Sequence, residues 1–164
     1  MTEVQAVTAL LEDRLITFTR AVGLIRRRNL SVRSIAVGPT AVPGVSRLTI
    51  MVDSDETTAA RAVQQLDKVI GVRAAATFPA REGVSREIAL VKVRTHPERH
   101  GELLDVVQLY HATVVDDSAE ALILELTGTE AFVLSGIRAL EPYDILEVAR
   151  SGTVAMEAAS SPVG

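Results

Sequence analysis

The sequence contains no cysteine and no tryptophan. Without cysteine there is no disulfide, no thiolate zinc site and no cysteine nucleophile. Aromatic residues make up only 3%. That argues against a surface that stacks single-stranded bases, and it leaves the core to Val, Ile, Leu and Ala. A strong charge of either sign is missing too. The net charge of −4 gives no reason to expect a polyanionic partner. No apolar run approaches a membrane span, and the first residues lack the basic-then-apolar pattern of a signal peptide. A cytoplasmic protein with no membrane and no nucleic-acid partner is the expectation. What is abundant is aliphatic: apolar residues are 48% of 164, enough for one domain or two small ones.

Val4 to Glu12 is apolar on both sides and bounded by charge, the pattern of a buried strand. The period then changes: Leu15, Phe18, Ala21, Val22 and Ile25 fall at helical spacing, and Asp13 is placed to cap the helix. Val32 to Val37 is a second strand, and Gly38-Pro39 and Pro43-Gly44 punctuate the loop after it. Arg47 to Val52 alternates, with Leu48, Ile50 and Val52 on one side and Arg47, Thr49 and Met51 on the other. A second helix carries Ala59, Ala62, Val63, Leu66 and Ile70 on one stripe, and Val72 to Phe78 is a fourth strand. The order is βαββαβ, the split ferredoxin-like motif.

After Pro79 to Ser85 the order repeats. Arg86 to Thr95 is a strand, and a helix starting near Pro97 carries Leu103, Val106, Val107 and Tyr110. Thr113 to Asp116 and Ala121 to Thr127 are strands joined by an acidic turn. Thr129 caps a helix with stripe Val133, Gly136, Ile137 and Leu140; Pro142 ends it, and Ile145 to Ala149 is the last strand. The predicted fold class is α+β, two tandem ferredoxin-like βαββαβ domains. The expected boundaries are 1–79 and 86–157, with a linker at 80–85 and a fraying tail at 158–164. A four-stranded sheet with helices on one side leaves its other face bare, which points to dimerisation or a partner.

Chemistry-bearing patterns are sparse. His96 and His100 have helical metal spacing, but Pro97 places His96 outside the helix and no HExxH pattern is present. His111 stands alone, and Arg26 to Arg28 sit where cations offset a helix dipole. No GxSxG, phosphate loop or GxGxxG appears, and the acidic pairs Asp116-Asp117 and Glu141 with Asp144 read as exposed turns. No catalytic residue and no metal site are expected. The remaining candidate is the first strand-to-helix turn, Glu12 to Thr17, where free helix N–H groups suit a carboxylate.

The segments ALLEDRL (Ala9–Leu15), RAVGLIRRRNLSVRSIAVGPT (Arg20–Thr40), SRLTIMV (Ser46–Val52), REIALVKV (Arg86–Val93), LELTG (Leu124–Gly128) and ILEVARSGTVAM (Ile145–Met156) together carry a resemblance. In that order and spacing the chain resembles the small, regulatory subunit of acetolactate synthase (acetohydroxyacid synthase) over nearly its whole length. The resemblance implies an N-terminal ACT domain and a C-terminal domain of similar plan. It implies a non-catalytic subunit that activates a large subunit carrying thiamine diphosphate, Mg and FAD, in branched-chain amino acid (valine, leucine, isoleucine) biosynthesis. It also implies a homodimer through ACT domains, with an amino-acid effector such as valine at the interface. A stand-alone ACT-type small-molecule sensor is the alternative.

The family's first turn usually runs Leu-Glu-Asn, two variable residues, then Gly. Here Glu12 matches, Asp13 replaces the Asn and Ile16 replaces the Gly. Ser31 and Val32 stand where the family usually has Asn before Ile, while Arg20, Gly23, Gly38, Pro39, Ser46 and Arg47 agree. The implied effector positions, Asp13, Ile16, Thr17, Ser31 and Val32, are therefore degenerate. A glycine admits close approach and positive φ, and Ile16 does neither. The Asp13 carboxylate can only accept, where an amide also donates. Losing two charge-assisted hydrogen bonds costs about 3–6 kcal/mol, enough to remove millimolar control.

Overall fold

The computed structural model describes residues 3–160. They form two compact units: the residues up to Val84 together with those from Thr153 onward, and Ser85–Gly152. The order in each is βαββαβ, and the class is α+β.

The first unit runs β1 (Glu3–Glu12), α1 (Leu15–Arg27), β2 (Ser31–Pro39), β3 (Val45–Ser54), α2 (Glu56–Leu66) and β4 (Val72–Pro79). Its antiparallel sheet has the order β2-β3-β1-β4. Alternation puts Val7, Ala9, Leu11, Leu48, Ile50 and Val52 on the helix side. There they meet Ala21, Leu24 and Ile25 of α1 and Ala59, Ala62 and Leu66 of α2. The small residues of α2 let it lie close to the sheet. Its stripe stops at Leu66, because the helix ends there; Val69 turns back into the core and Ile70 is exposed. Asp55 caps α2, accepting from the Thr58 N–H at 2.9 Å and the Thr58 hydroxyl at 2.7 Å.

The other face of this sheet is not bare, contrary to the expectation from the helix count. Thr49 and Met51 are buried as well as Leu48 and Ile50. A further strand, β9 (Val154–Glu157), returns to this unit and sets Ala155 with Ala6, Met51 and Phe78. The Arg47 guanidinium donates to the Ala155 carbonyl at 3.1 Å, and the Thr153 N–H to the Ser34 hydroxyl at 3.2 Å. Gly83 leaves room for this return: a side chain there would fall 2.6 Å from the Met156 carbonyl. The expected domain boundaries differ accordingly. Residues 153–157 group with the first unit rather than the second, because their apolar partners lie there. The expected linker 80–85 is a one-turn 3-10 helix, Ala80–Glu82, followed by the start of the next strand. Of the expected tail, Ala158–Ser160 form neither helix nor strand, and 161–164 lie outside the described residues.

The second unit comprises β5 (Gly83–Arg94, its first two residues in the first unit), α3 (His100–Leu109), β6 (Thr113–Asp117), β7 (Ala121–Gly128), α4 (Glu130–Leu140) and β8 (Ile145–Arg150). The strand order is β6-β7-β5-β8. Ala89, Val91, Val93, Leu122, Leu124 and Leu126 pack against Leu103, Val133, Leu140 and Tyr143. Thr129 caps α4, its hydroxyl oxygen accepting from the Phe132 N–H at 3.3 Å. A one-turn 3-10 helix, Pro97–Arg99, precedes α3. The Glu87 side chain, 1% exposed, accepts from Arg150 Nε at 2.9 Å and Nη2 at 2.7 Å.

Two outcomes follow from these contacts. Glu87→Ala removes both of these hydrogen bonds and leaves a partly exposed guanidinium with the more distant Glu130, 3.9 Å away, beside it; it is expected to cost about 2 kcal/mol in urea denaturation, with Glu87→Gln milder. Hydrogen bonds from the Thr58 hydroxyl and then its N–H hold the Asp55 carboxyl below its ordinary pKa. The resulting stabilisation is complete above the unfolded-state pKa and is lost as pH falls through the depressed native value. In denaturation at stepped acidic pH, Asp55→Asn is expected to flatten that part of the pH dependence.

Candidate functional site

β1 passes into α1 through Asp13 and Arg14 alone. The turn is closed by backbone bonds to two neighbouring turns. The Glu12 N–H donates to the Gly71 carbonyl at 2.8 Å, and the Asp13 N–H to the Gly44 carbonyl at 2.9 Å. The Arg14 N–H donates to the Glu12 carbonyl at 2.7 Å, and Thr17 and Phe18 N–H both close on the Arg14 carbonyl. Arg14 is the N-cap residue, extended and without a side-chain cap bond. Asp13 therefore does not cap α1 as its spacing suggested. The helix begins one residue too late for it, and its carboxylate instead accepts from the Ser46 hydroxyl at 3.1 Å.

The first N–H groups of a helix have no intrahelical acceptor, so Leu15 and Ile16 present donors at the helix start. Their side chains point outward, 78% and 52% exposed. Thr17 is the opposite case: it is buried against Gly71, where an added Cβ would fall 2.5 Å from the Thr17 hydroxyl. Gly71 also has φ +91°, so both its backbone and its surroundings demand glycine. The sequence reading missed Gly71 and the hydrogen-bonding role of Ser46. A glycine between an apolar stripe and a strand was the only available signal for the first.

Ser31 and Val32 are not beside this turn. Across β3, Glu12 opposes Val45, whereas Ser31 opposes Asp53 and Val32 opposes Val52. The two groups are eight residues apart along β3, about 26 Å at strand rise. One chain thus brings Asp13, Ile16 and Thr17 together and leaves Ser31 and Val32 at the opposite end of the sheet. They lie on β2, an edge strand, where Val32, Ile35 and Val37 are exposed.

The other candidates are placed as follows. His96 Nε2 lies 2.9 Å from an Asp144 oxygen, His100 opens α3, and among the described residues no three His, Cys, Asp or Glu side chains are grouped to hold a metal. His111 follows α3 in a left-handed conformation, φ +49°. Arg26 and Arg27 occupy the last turn of α1, and Arg28 donates to the Gln65 side chain at 2.8 Å. Asp116 and Asp117 close β6 rather than a turn, both exposed. No described helix is long and apolar enough to cross a membrane.

Two tandem ferredoxin-like units, the first with an exposed helix start at its strand-to-helix turn, have the architecture of paired ACT-type domains. Family comparison agrees over both units. The model described as "Small subunit of acetolactate synthase" matches residues 86–159, and "AHAS small subunit-like ACT domain" matches 17–74. The acetolactate synthase small subunit of Mycolicibacterium smegmatis is 36% identical over 99% of this chain and 96% of its own. The probable acetolactate synthase small subunit of Archaeoglobus fulgidus is 34% identical over 92% and 94%. The crystal structure of the Thermotoga maritima acetolactate synthase small subunit superposes with a TM-score of 0.87 at 31% identity, covering 97% of this chain and 99% of that one. The chain belongs to the acetolactate synthase small-subunit family and is a regulatory subunit.

The structure assigns Asp13 to the turn rather than to the helix. Asp13→Ala is therefore expected to cost about 1 kcal/mol in denaturation, through the lost Ser46 bond. Ser46→Ala combined with it should add little, whereas a capping role for Asp13 would leave the two effects additive.

Proposed function

We propose that this chain binds and activates the catalytic large subunit of acetolactate synthase in branched-chain amino acid biosynthesis, and that its valine control is weakened or altered. Thiamine diphosphate, Mg and FAD belong to the large subunit in this reading, and the reaction takes place there. Activation is then differential binding: the small subunit favours the active arrangement of its partner by contacting it better. Two copies of the chain pair through the exposed edge of β2. Antiparallel pairing of that strand with its copy carries Ser31 and Val32 of one chain toward the strand-to-helix turn of the other. The separation of the two groups within one chain supports this arrangement.

The observation that carries the altered control is Ile16. It stands half-exposed in the first turn of α1, where its branched side chain crowds the helix N–H groups that a carboxylate needs. Asp13 adds a negative charge held in place by Ser46, and it repels a carboxylate ligand. The ACT-domain family match begins at residue 17, just past these positions.

Reconstitution with the large subunit, with and without valine, leucine and isoleucine, tests the reading. Stimulated acetolactate formation with little response to valine is expected. Failure to stimulate favours a free-standing sensor, and strong valine inhibition removes the claim of altered control. In calorimetry, Ile16→Gly combined with Asp13→Asn and Ser31→Asn is expected to tighten valine binding about tenfold or more, as restored hydrogen bonds would.

A further inference from the structure

We infer that the uncovered face of the second unit's sheet is a contact between two copies of this chain. The first unit buries its back face under β9, whereas the corresponding face of the second unit carries exposed apolar side chains. On the side of its sheet away from α3 and α4, β5 presents Ile88, Leu90 and Lys92, β7 presents Ile123 and Glu125, and β8 presents Glu147 and Ala149. Leu90 is 41% exposed and Ile88 36%. Leu90, Lys92, Ile123, Glu147 and Ala149 line a shallow groove on this face. Apolar side chains gathered on an open sheet mark a contact surface.

The charges on this face select a second copy as the occupant. Lys92 and Glu147 are register partners across β5 and β8, as are Leu90 and Ala149. Among the described residues no ion pair joins Lys92 to Glu147 within the chain. A twofold axis running along the strands between β5 and β8 overlays each of these strands on the other strand of the second copy. It sets Lys92 over Glu147 of the second copy, Leu90 over its Ala149, and both pairs again in reverse. Such an isologous contact is self-complementary in charge and in apolar surface, and its strands are aligned as in face-to-face sheet packing. A contact axis along β5 itself would place Lys92 against Lys92.

The absence of cysteine does not help here, since Leu90 and Ala149 are neighbours within one chain, so the test uses charge. The full chain carrying Ile35→Asp, which disables the β2 edge, is followed by light scattering over a dilution series. In that background Lys92→Glu and Glu147→Lys are each expected to weaken self-association about tenfold or more. An equimolar mixture of the two variants is expected to regain it, because the mixed contact carries opposite charges at both crossings. A misfolded variant would not recover on mixing. Association lost with Ile35→Asp alone, insensitivity to either reversal, or failure of the mixture to associate would overturn the inference. None of these readouts depends on stimulation of a large subunit.

Discussion

A sheet has two faces, and two helices cover one of them. Every larger feature of this chain follows from how it meets that constraint. In the first unit the second face is closed by β9, contributed from some seventy residues beyond β4. Ala155 sits with Ala6, Met51 and Phe78, and the Arg47 guanidinium and the Ser34 hydroxyl hold the returning backbone. Burial of apolar area at about 25 cal/mol per Å² makes this return favourable, and a βαββαβ unit of this size has little stability to spare without it. The two units are therefore not consecutive in sequence: the second is an insertion within the first.

The strand-to-helix turn obeys a stricter local rule. Its backbone must connect a central strand to a helix in two residues, and the neighbouring turns supply the carbonyls that accept its N–H groups. That leaves Gly71 and Thr17 in a tight contact neither can relax. Leu15 and Ile16, two and one residues closer to the strand, are exposed. Ile16 is not strained, because it lies in ordinary helical backbone. Its consequence is chemical rather than structural: a branched side chain now stands beside the helix donors.

Much of the fold was legible because it is periodic. Alternation located β3, the 3.6-residue stripes located α1, α2 and α4, and Thr129 was visible as a cap because Phe132 lies at the expected spacing. The failures share a different origin. Asp13 was misassigned because capping depends on the first helical residue, and a shift of one position exchanges a helix N–H for the Ser46 hydroxyl. β9 was missed because Val-Ala-Met-Glu is too short to signal a strand and its partners are remote, with Ala155 and Arg47 separated by 108 positions. The candidate site was half legible. The turn could be found locally, but the distance to Ser31 and Val32 is set by strand order and register, which no local pattern encodes.

That division would let such a turn change the chemistry it offers a ligand at little cost to the fold. Residues that fix the geometry, Thr17 and Gly71, are buried or conformationally committed, and substitution there destabilises the unit. Residues that face outward, Asp13, Leu15 and Ile16, carry the charge and shape a ligand would meet. Asp13 contributes one hydrogen bond to Ser46, and the other two contribute almost nothing to packing. Replacing a small residue by isoleucine at such a position adds exposed apolar surface, a modest penalty in water, and removes access to the helix donors. The buried Thr17 and the outward-facing Ile16 are only one position apart, and the helical turn of about 100° between successive residues is what separates a side chain that packs from one that a ligand would meet.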